Sequence, residues 1–328
     1  MKKSMVLLAL LLAIGLAMFG VGCELGEVKI PDEFGTYPGG GTDPGGGTDP
    51  GGGTDPGGGT DPGGGTDPGG GTDPGGGTDP GGNAGTGLPE GMVSLTFDDG
   101  IFNPDMEQAF DKMLANNIPG TLYVVTDWIG DNDGHLTWSD VKFYDGIGWE
   151  VGNHTKAHKH PLGITATDFR NEVNLADVAL QQHGISASSF AIPYGEGYNL
   201  AGGQVVLDES LLGILNDLGY IKSSRQAFTG DNPDTLNDVG SFNPMAIKVF
   251  SWKQSTSESF ITGLIDQAVA EKKYLVFVIH QVTANPDPAD NDQISLERFK
   301  RVCDYIGKAK ISKVSVSQGS DRMIQYKP

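Results

Sequence analysis

The chain has 328 residues, 37% of them hydrophobic, and carries 42 acidic against 22 basic side chains for a net charge of −20. A surface this acidic repels phosphate backbones and anionic headgroups, so nucleic acid and a charge-held membrane surface are both disfavoured as partners. Its two cysteines, Cys23 and Cys303, stand in unrelated settings and supply no disulfide framework.

From the N-terminus, residues 1–3 give a positive start, 5–21 an almost unbroken apolar run, and Gly22-Cys23 a small residue before a cysteine. This is a secretory address. With a polar segment following, it resembles a bacterial lipoprotein signal, with Gly20 as a departure from the usual leucine. The resemblance implies a signal peptide over 1–22, lipidation of Cys23 and a lipidated segment over 23–38. The other reading of the run is an uncleaved anchor at the lower length limit for spanning a bilayer. Either way the rest of the chain is extracytoplasmic, held to the membrane only at its N-terminus. Then Gly-Gly-Gly-Thr-Asp-Pro repeats from Gly39 to Pro80 with no side chain able to stack a solenoid. Residues 39–87 read as a disordered linker, with a root-mean-square reach of about 35 Å over the repeat.

The remaining 88–328 carries 31 acidic against 19 basic residues and is long enough for one sizeable core. Short apolar runs at 92–97, 121–125, 149–152, 189–193, 221–224, 247–250 and 275–280 alternate with helical patterns, which predicts parallel strands and crossover helices. One helix is expected after Ser255 and Glu258 in capping-box spacing, with Phe260, Ile261, Leu264, Ile265 and Ala268 on one face. Another places Leu296, Phe299, Cys303 and Ile306 on one face, which makes Cys303 a small buried hydrophobe. Seven such units fit a barrel or an open doubly wound sheet, and periodicity does not separate them.

Polar residues fall where these strands end: Asp98 and Asp99 after the first, Asn153 and His154 after the third, Tyr194 after the fourth, His280 after the last. Parallel α/β folds build their sites at strand carboxyl ends, so these positions are expected to converge. His154 and His158, four apart, can turn two imidazoles to one side and share a metal; a plain solvated loop is the bland alternative. Adjacent carboxylates at an apolar strand end are costly unless a cation lies near, and they point differently, so one can bind metal while the other takes a proton. A simple turn with Gly100 at positive φ is the competing reading.

Taken together, Thr96-Phe97-Asp98-Asp99-Gly100, His154-Thr155-Lys156-Ala157-His158, Pro193-Tyr194-Gly195 and the late His280 resemble, in order, the polysaccharide deacetylases of the NodB-homology type, carbohydrate esterase family 4. Asp127-Trp128-Ile129-Gly130 and Leu136-Thr137-Trp138, leading to Gly148-Trp149-Glu150-Val151-Gly152, share the likeness. The resemblance implies an α/β fold, a distorted (β/α) barrel, and makes 88–328 the deacetylase domain. It implies a divalent metal on Asp99, His154 and His158, usually zinc, with cobalt or nickel acceptable to the same donors. Asp98 becomes the general base, the backbone N–H of Tyr194 an oxyanion donor, His280 the proton donor to the leaving group, and Pro193 and Trp252 substrate-binding positions. The implied partner is an acetylated polysaccharide.

Two positions depart from the pattern. Ala191 stands where the family commonly has an arginine that orients the base, and Ser251-Trp252 is the nearest match to a motif whose aspartate orients the acid histidine. Both departures favour a rival reading, a glycan-binding protein that keeps the metal but not turnover. A second rival is the same metal chemistry on a small amide or cyclic imide. Trp128, Trp138, Trp252 and Tyr194 offer sugar-stacking faces, but tryptophans in a domain of this size are more often core. His135 and His183 read as surface or helix-end residues, and 283–293 as a loop after the His280 strand, a plain connector first and a rim of the cleft second.

Overall fold

Strand β1 (Met92–Phe97) is buried along its whole length, because both of its faces are covered. The computed structural model describes residues 88–131, 133–201, 204–227 and 235–327; the signal-type run, Cys23 and the hexapeptide repeat lie outside the described residues. Around β1 are β2 (Gly120–Val124), β3 (Glu150–Asn153), β4 (Ser189–Ala191), the hairpin β5 (Tyr198–Ala201) and β6 (Gln204–Leu207), β7 (Ser223–Arg225), β8 (Leu236–Asn237), β9 (Phe250–Ser251), β10 (Tyr274–Ile279), β11 (Gln281–Thr283), β12 (Gln293–Ser295) and β13 (Ser312–Lys313). The helices are α1 (Pro104–Ala115), α2 (Trp138–Gly146), α3 (Ala166–Gln182), α4 (Glu209–Leu218), α5 (Glu258–Glu271), α6 (Leu296–Lys308) and α7 (Val316–Gln325).

The main sheet runs β7-β4-β3-β2-β1-β10-β8, with β9 also beside β10 and β13 beside the start of β1. All pairings from β7 to β10 are parallel, as is β9 with β10; β8 alone is antiparallel. The short stretch leading into β9 closes the curve. Ile247 bridges Arg225 on one edge while Phe250 pairs with Phe277 on the other. A sheet whose two edges share one strand is a distorted (β/α) barrel rather than an open doubly wound sheet.

Strand alternation sorts the side chains. Val93, Leu95 and Phe97 of β1, with Leu275, Phe277 and Ile279 of β10, join the outer core under the helices. Met92, Tyr274, Val276 and Val278 face the inner cluster with Tyr123 and Ala191. That interior is partly polar: Ser94 Oγ lies 2.8 Å from the Tyr274 hydroxyl. Gly152 is required there, because an added Cβ would sit 2.4 Å from the Tyr123 ring.

The helices follow local chemistry. Asn103 caps α1 by accepting from the N–H groups of Asp105 and Met106, Pro104 opens it, and Met106, Ala109, Phe110 and Met113 are buried. α6 buries Leu296, Phe299, Val302, Cys303 and Ile306, as the spacing predicts. α5 departs in detail. Its cap is Ser257, which accepts from the Phe260 N–H, whereas the Ser255 N–H donates to Asn291 Oδ1. Phe260 is exposed while Ile261, Leu264, Ile265 and Ala268 are buried, so the apolar face is one residue narrower than expected. The β5–β6 hairpin, β8, β11, β12 and β13 are absent from the sequence expectation; at two to four residues each they are too short to show a period.

Candidate active site

The carboxyl ends of β1, β3, β4, β7 and β10 open on one mouth. Phe97 and Ile279 are register partners, so Asp98 and His280 follow side by side. The chain turns left-handed at Asp99 (φ 69°), and again at Thr155, His158 and Tyr194 (φ 69°, 53° and 59°). Among the described residues these are four of six non-glycine residues with positive φ. L side chains adopt this region at a cost and hold it only where the surroundings over-determine it, so its concentration here points to a functional site.

Asp99 Oδ1 stands 3.4 Å from Nε2 of both His154 and His158, and one ligand atom from each of the three lies within 4.8 Å of the others. The local fold enforces this. His154 Nδ1 donates to the Ala191 carbonyl at 2.7 Å, which fixes the tautomer and leaves Nε2 as a lone pair toward Asp99. The turn that returns His158 is held by the Thr155 N–H on Asn153 Oδ1, the His158 N–H on Thr155 Oγ1 and the Ala157 N–H on Glu172. It is a turn and not a helix.

Burial pushes the His158 imidazole down to about 4, so it is neutral and able to donate an electron pair. Burial works to raise the Asp99 carboxyl, but His154, His280 and His158 around it outweigh that and hold it at about 2. Asp99 Oδ1 is buried without a hydrogen-bond donor. Two imidazole nitrogens and an ionised, donor-free oxygen are the donor set of a divalent metal with positions left open, so these residues fit one.

Asp98 is 1% exposed. Its Oδ1 accepts from Nη2 of Arg225, while Oδ2 has no hydrogen-bond partner. Arg225 itself is fully buried, lies 4.3 Å over the Tyr123 ring and donates from Nη1 to the Gln226 carbonyl. Burial pushes its guanidinium down to about 9, still charged at neutral pH. Sequence reading missed this residue. The strand expected over 221–224 runs one residue further, and Ala191 and Arg225 are register partners on adjacent strands. The arginine absent at 191 therefore enters from the next strand, over the small side chain of Ala191.

His280 meets a second unanticipated partner. Its Nδ1 is 3.8 Å from Asp292 Oδ1, the same oxygen that Lys253 Nζ contacts. Burial pushes the His280 imidazole down, while Asp99 and Asp292 oppose that. Asp292 arrives on the 283–293 segment, which is pinned over the mouth: Gln254 donates to the Asp287 and Asp290 carbonyls and its N–H to that of Asn291. Ser251, beside Trp252, is buried with its hydroxyl unpartnered.

Tyr194 is half exposed, its ring 4.5 Å from that of His158. The two substrate-binding positions fare differently. Trp252 is 1% exposed and packed in the core against Phe277 and Phe299, so it presents no face to a sugar, and Pro193 is buried in the turn before Tyr194. Trp128 lies 5.2 Å from the His158 ring at the rim. Trp138 and His183 stack on each other at helix ends, and His135 pairs with Asp131.

Residues 85–220 match the polysaccharide deacetylase family model. A 108-residue stretch is 30% identical to a peptidoglycan-N-acetylglucosamine deacetylase of Bacillus cereus, covering 32% of this chain and 36% of that protein, so the chain spans about a third of the length of the curated relative it matches. A Mycobacterium smegmatis protein described as a polysaccharide deacetylase is similar in fold, with a TM-score of 0.52 at 14% identity over 72% of this chain and 92% of that one. A family 4 acetyl xylan esterase of Clostridium thermocellum, solved with cobalt, gives a TM-score of 0.44 at 17% identity over 69% and 89% of the two chains. Residues 85–220, which hold Asp98, Asp99, His154, His158 and Tyr194, are thus similar to polysaccharide deacetylases, and the chain shares its fold with the Mycobacterium protein.

Proposed function

We propose that the domain hydrolyses N- or O-acetyl groups of a polysaccharide at a metal centre formed by Asp99, His154 and His158. The observation that carries this is the placement of a carboxylate with one free oxygen, Asp98, beside a three-donor cluster and a histidine at one barrel mouth. A divalent cation held there, zinc first among the candidates, supplies Lewis acidity toward the acyl oxygen and acidifies water.

The protein's own groups do the rest. Arg225 occupies Asp98 Oδ1, leaving Oδ2 to take the proton of the attacking water. The Tyr194 N–H, presented by its left-handed backbone, donates to the developing oxyanion. His280, with the Asp292 carboxylate 3.8 Å from its Nδ1, protonates the departing amine or alkoxide from its other ring nitrogen. Arg225 and Asp292 fill the two orienting roles whose absence favoured a non-catalytic glycan binder, so turnover is the better-supported reading.

The N-terminal pattern supports an extracytoplasmic, lipid-anchored placement through Cys23, with the hexapeptide linker giving the domain reach across a cell-envelope or environmental polymer. The acidic composition supports a neutral or cationic polymer over nucleic acid. The test is acetate release by purified, zinc-loaded protein on N-acetylglucosamine oligomers, peptidoglycan and acetylated xylan. Release that disappears in Asp98→Asn and on chelation establishes the reading, and no release from any of the three with metal bound refutes it.

A further inference from the structure

The loops after β3 and β4 carry the two elements that have to agree in position, His158 and the Tyr194 N–H, yet their strands pair only at Asn153 and Phe190. Beyond that pair and the His154 bond to the Ala191 carbonyl, one carboxylate ties the outer parts of the two loops together. Glu196 Oε1 accepts from His160 Nδ1 at 2.7 Å and Oε2 from the Leu162 N–H at 3.1 Å. The imidazole so held lies flat on the Tyr194 ring, with centroids 3.7 Å apart and planes 8° from parallel.

Tyr194 needs such a restraint. Its φ is 59° and that of Gly195 is 64°, and a half-exposed side chain gains little from core packing. Main-chain bonds across this turn are long, 3.2 Å from the Gly195 N–H to the Ile192 carbonyl and 3.3 Å from the Glu196 N–H to that of Pro193. A left-handed residue outside the core persists only where its surroundings over-determine it. Aromatic stacking on one side, from a ring that is itself hydrogen-bonded in place, is a restraint of that kind. His160 is no metal donor here, because its Nδ1 is committed to Glu196 and it stands outside the Asp99, His154 and His158 group.

We propose that His160, clamped by Glu196, is a positioning residue that stacks on Tyr194 to hold the Tyr194 backbone N–H in register with the metal-ligand loop. The role rests on the deacetylase reading for its catalytic consequence, but the clamp is measurable without turnover.

The experiment compares the full-length protein with His160→Ala, His160→Phe and Glu196→Ala by amide hydrogen exchange over 192–197, zinc binding, and kcat and KM for acetate release from N-acetylglucosamine oligomers. His160→Ala and Glu196→Ala are expected to speed exchange over 192–197 and lower kcat about tenfold, with KM within about twofold and zinc affinity unchanged. His160→Phe puts an apolar ring on Tyr194 that, unlike a hydrated imidazole released from Glu196, stays stacked without the bond, and is expected to restore part of both losses. Exchange over 192–197 unchanged in His160→Ala overturns the clamp, as does His160→Phe behaving like His160→Ala. Loss of zinc in His160→Ala would make it a ligand, and a rise in KM alone a substrate contact; each overturns the positioning role. Absence of acetate release by the unaltered protein would refute the deacetylase reading, while the exchange comparison still decides the clamp.

Discussion

Asp98 and Arg225, 127 residues apart, form a fully buried ion pair at the mouth of the barrel, and the guanidinium comes from the strand next to the one on which the family pattern places it. Because Ala191 and Arg225 are register partners, the same interior point is reachable from either strand. Removing Arg225 strands a buried carboxylate. Arg225→Met is expected to destabilise the protein by about 3–5 kcal/mol and to abolish acetate release. Ala191→Arg combined with Arg225→Ala should recover part of both, since the new side chain starts one strand away and faces the same interior. Chemical denaturation with parallel activity assays checks this; a double variant no better than Arg225→Ala would show that the strand of origin matters.

Asp292 faces His280 from a loop, with Lys253 on the same oxygen. Asp292→Asn removes the charge and keeps the shape, so kcat is expected to fall roughly tenfold or more, with zinc content and folding unchanged. Steady-state kinetics with metal analysis reads this directly, and unaltered kcat would remove Asp292 from the site.

Metal binding should appear as stability. Zinc at about 100 times its dissociation constant is expected to add about 2.7 kcal/mol, seen as a rise in thermal midpoint that EDTA reverses. His158→Ala and Asp99→Asn should lose that rise, because each removes one of three donors. A zinc-dependent rise that survives both substitutions would place the metal elsewhere.

The metal-free protein should be acid-labile in a defined window. His158 sits at about 4 in the fold against an ordinary 6.5, so between those values the unfolded chain binds a proton that the folded one refuses. Stability therefore falls as pH drops from 6.5 to 4, by about 3 kcal/mol from this group. Asp99, held at about 2 against 3.8, adds stability above 3.8 that is lost only as pH falls further, through 2. Urea midpoints of the apoprotein from pH 4 to 7 test the slope, and His158→Gln should flatten it.

Trp252 and Cys303 belong to the packing. Trp252→Ala is expected to cost about 3–5 kcal/mol, where a rim aromatic would change KM and leave stability alone. Burial pushes the Cys303 thiol up, and native protein should resist alkylation at pH 8 until it is unfolded.

What the sequence by itself determined is what depends on short stretches of chain. Continuous apolar runs marked β1 and β10, because strands buried on both faces need apolar side chains throughout. The apolar face of α6, with Cys303 in it, followed from a 3.6-residue period. Asp98, Asp99, His154 and His280 were legible because they come just after strands whose carboxyl ends meet, and His158 because it stands four residues after His154. The tertiary structure alone decided three further matters. It closed the sheet through Ile247, a single bridge with no periodic signal. It buried Trp252, since burial is set by what packs above a residue and not by its neighbours in sequence. Above all it brought Arg225 to Asp98, Asp292 to His280 and Glu196 to His160. A lone arginine after two serines, an aspartate in a proline-rich loop and a glutamate between glycines all read as solvated surface charges, and only strand register and loop return give them partners.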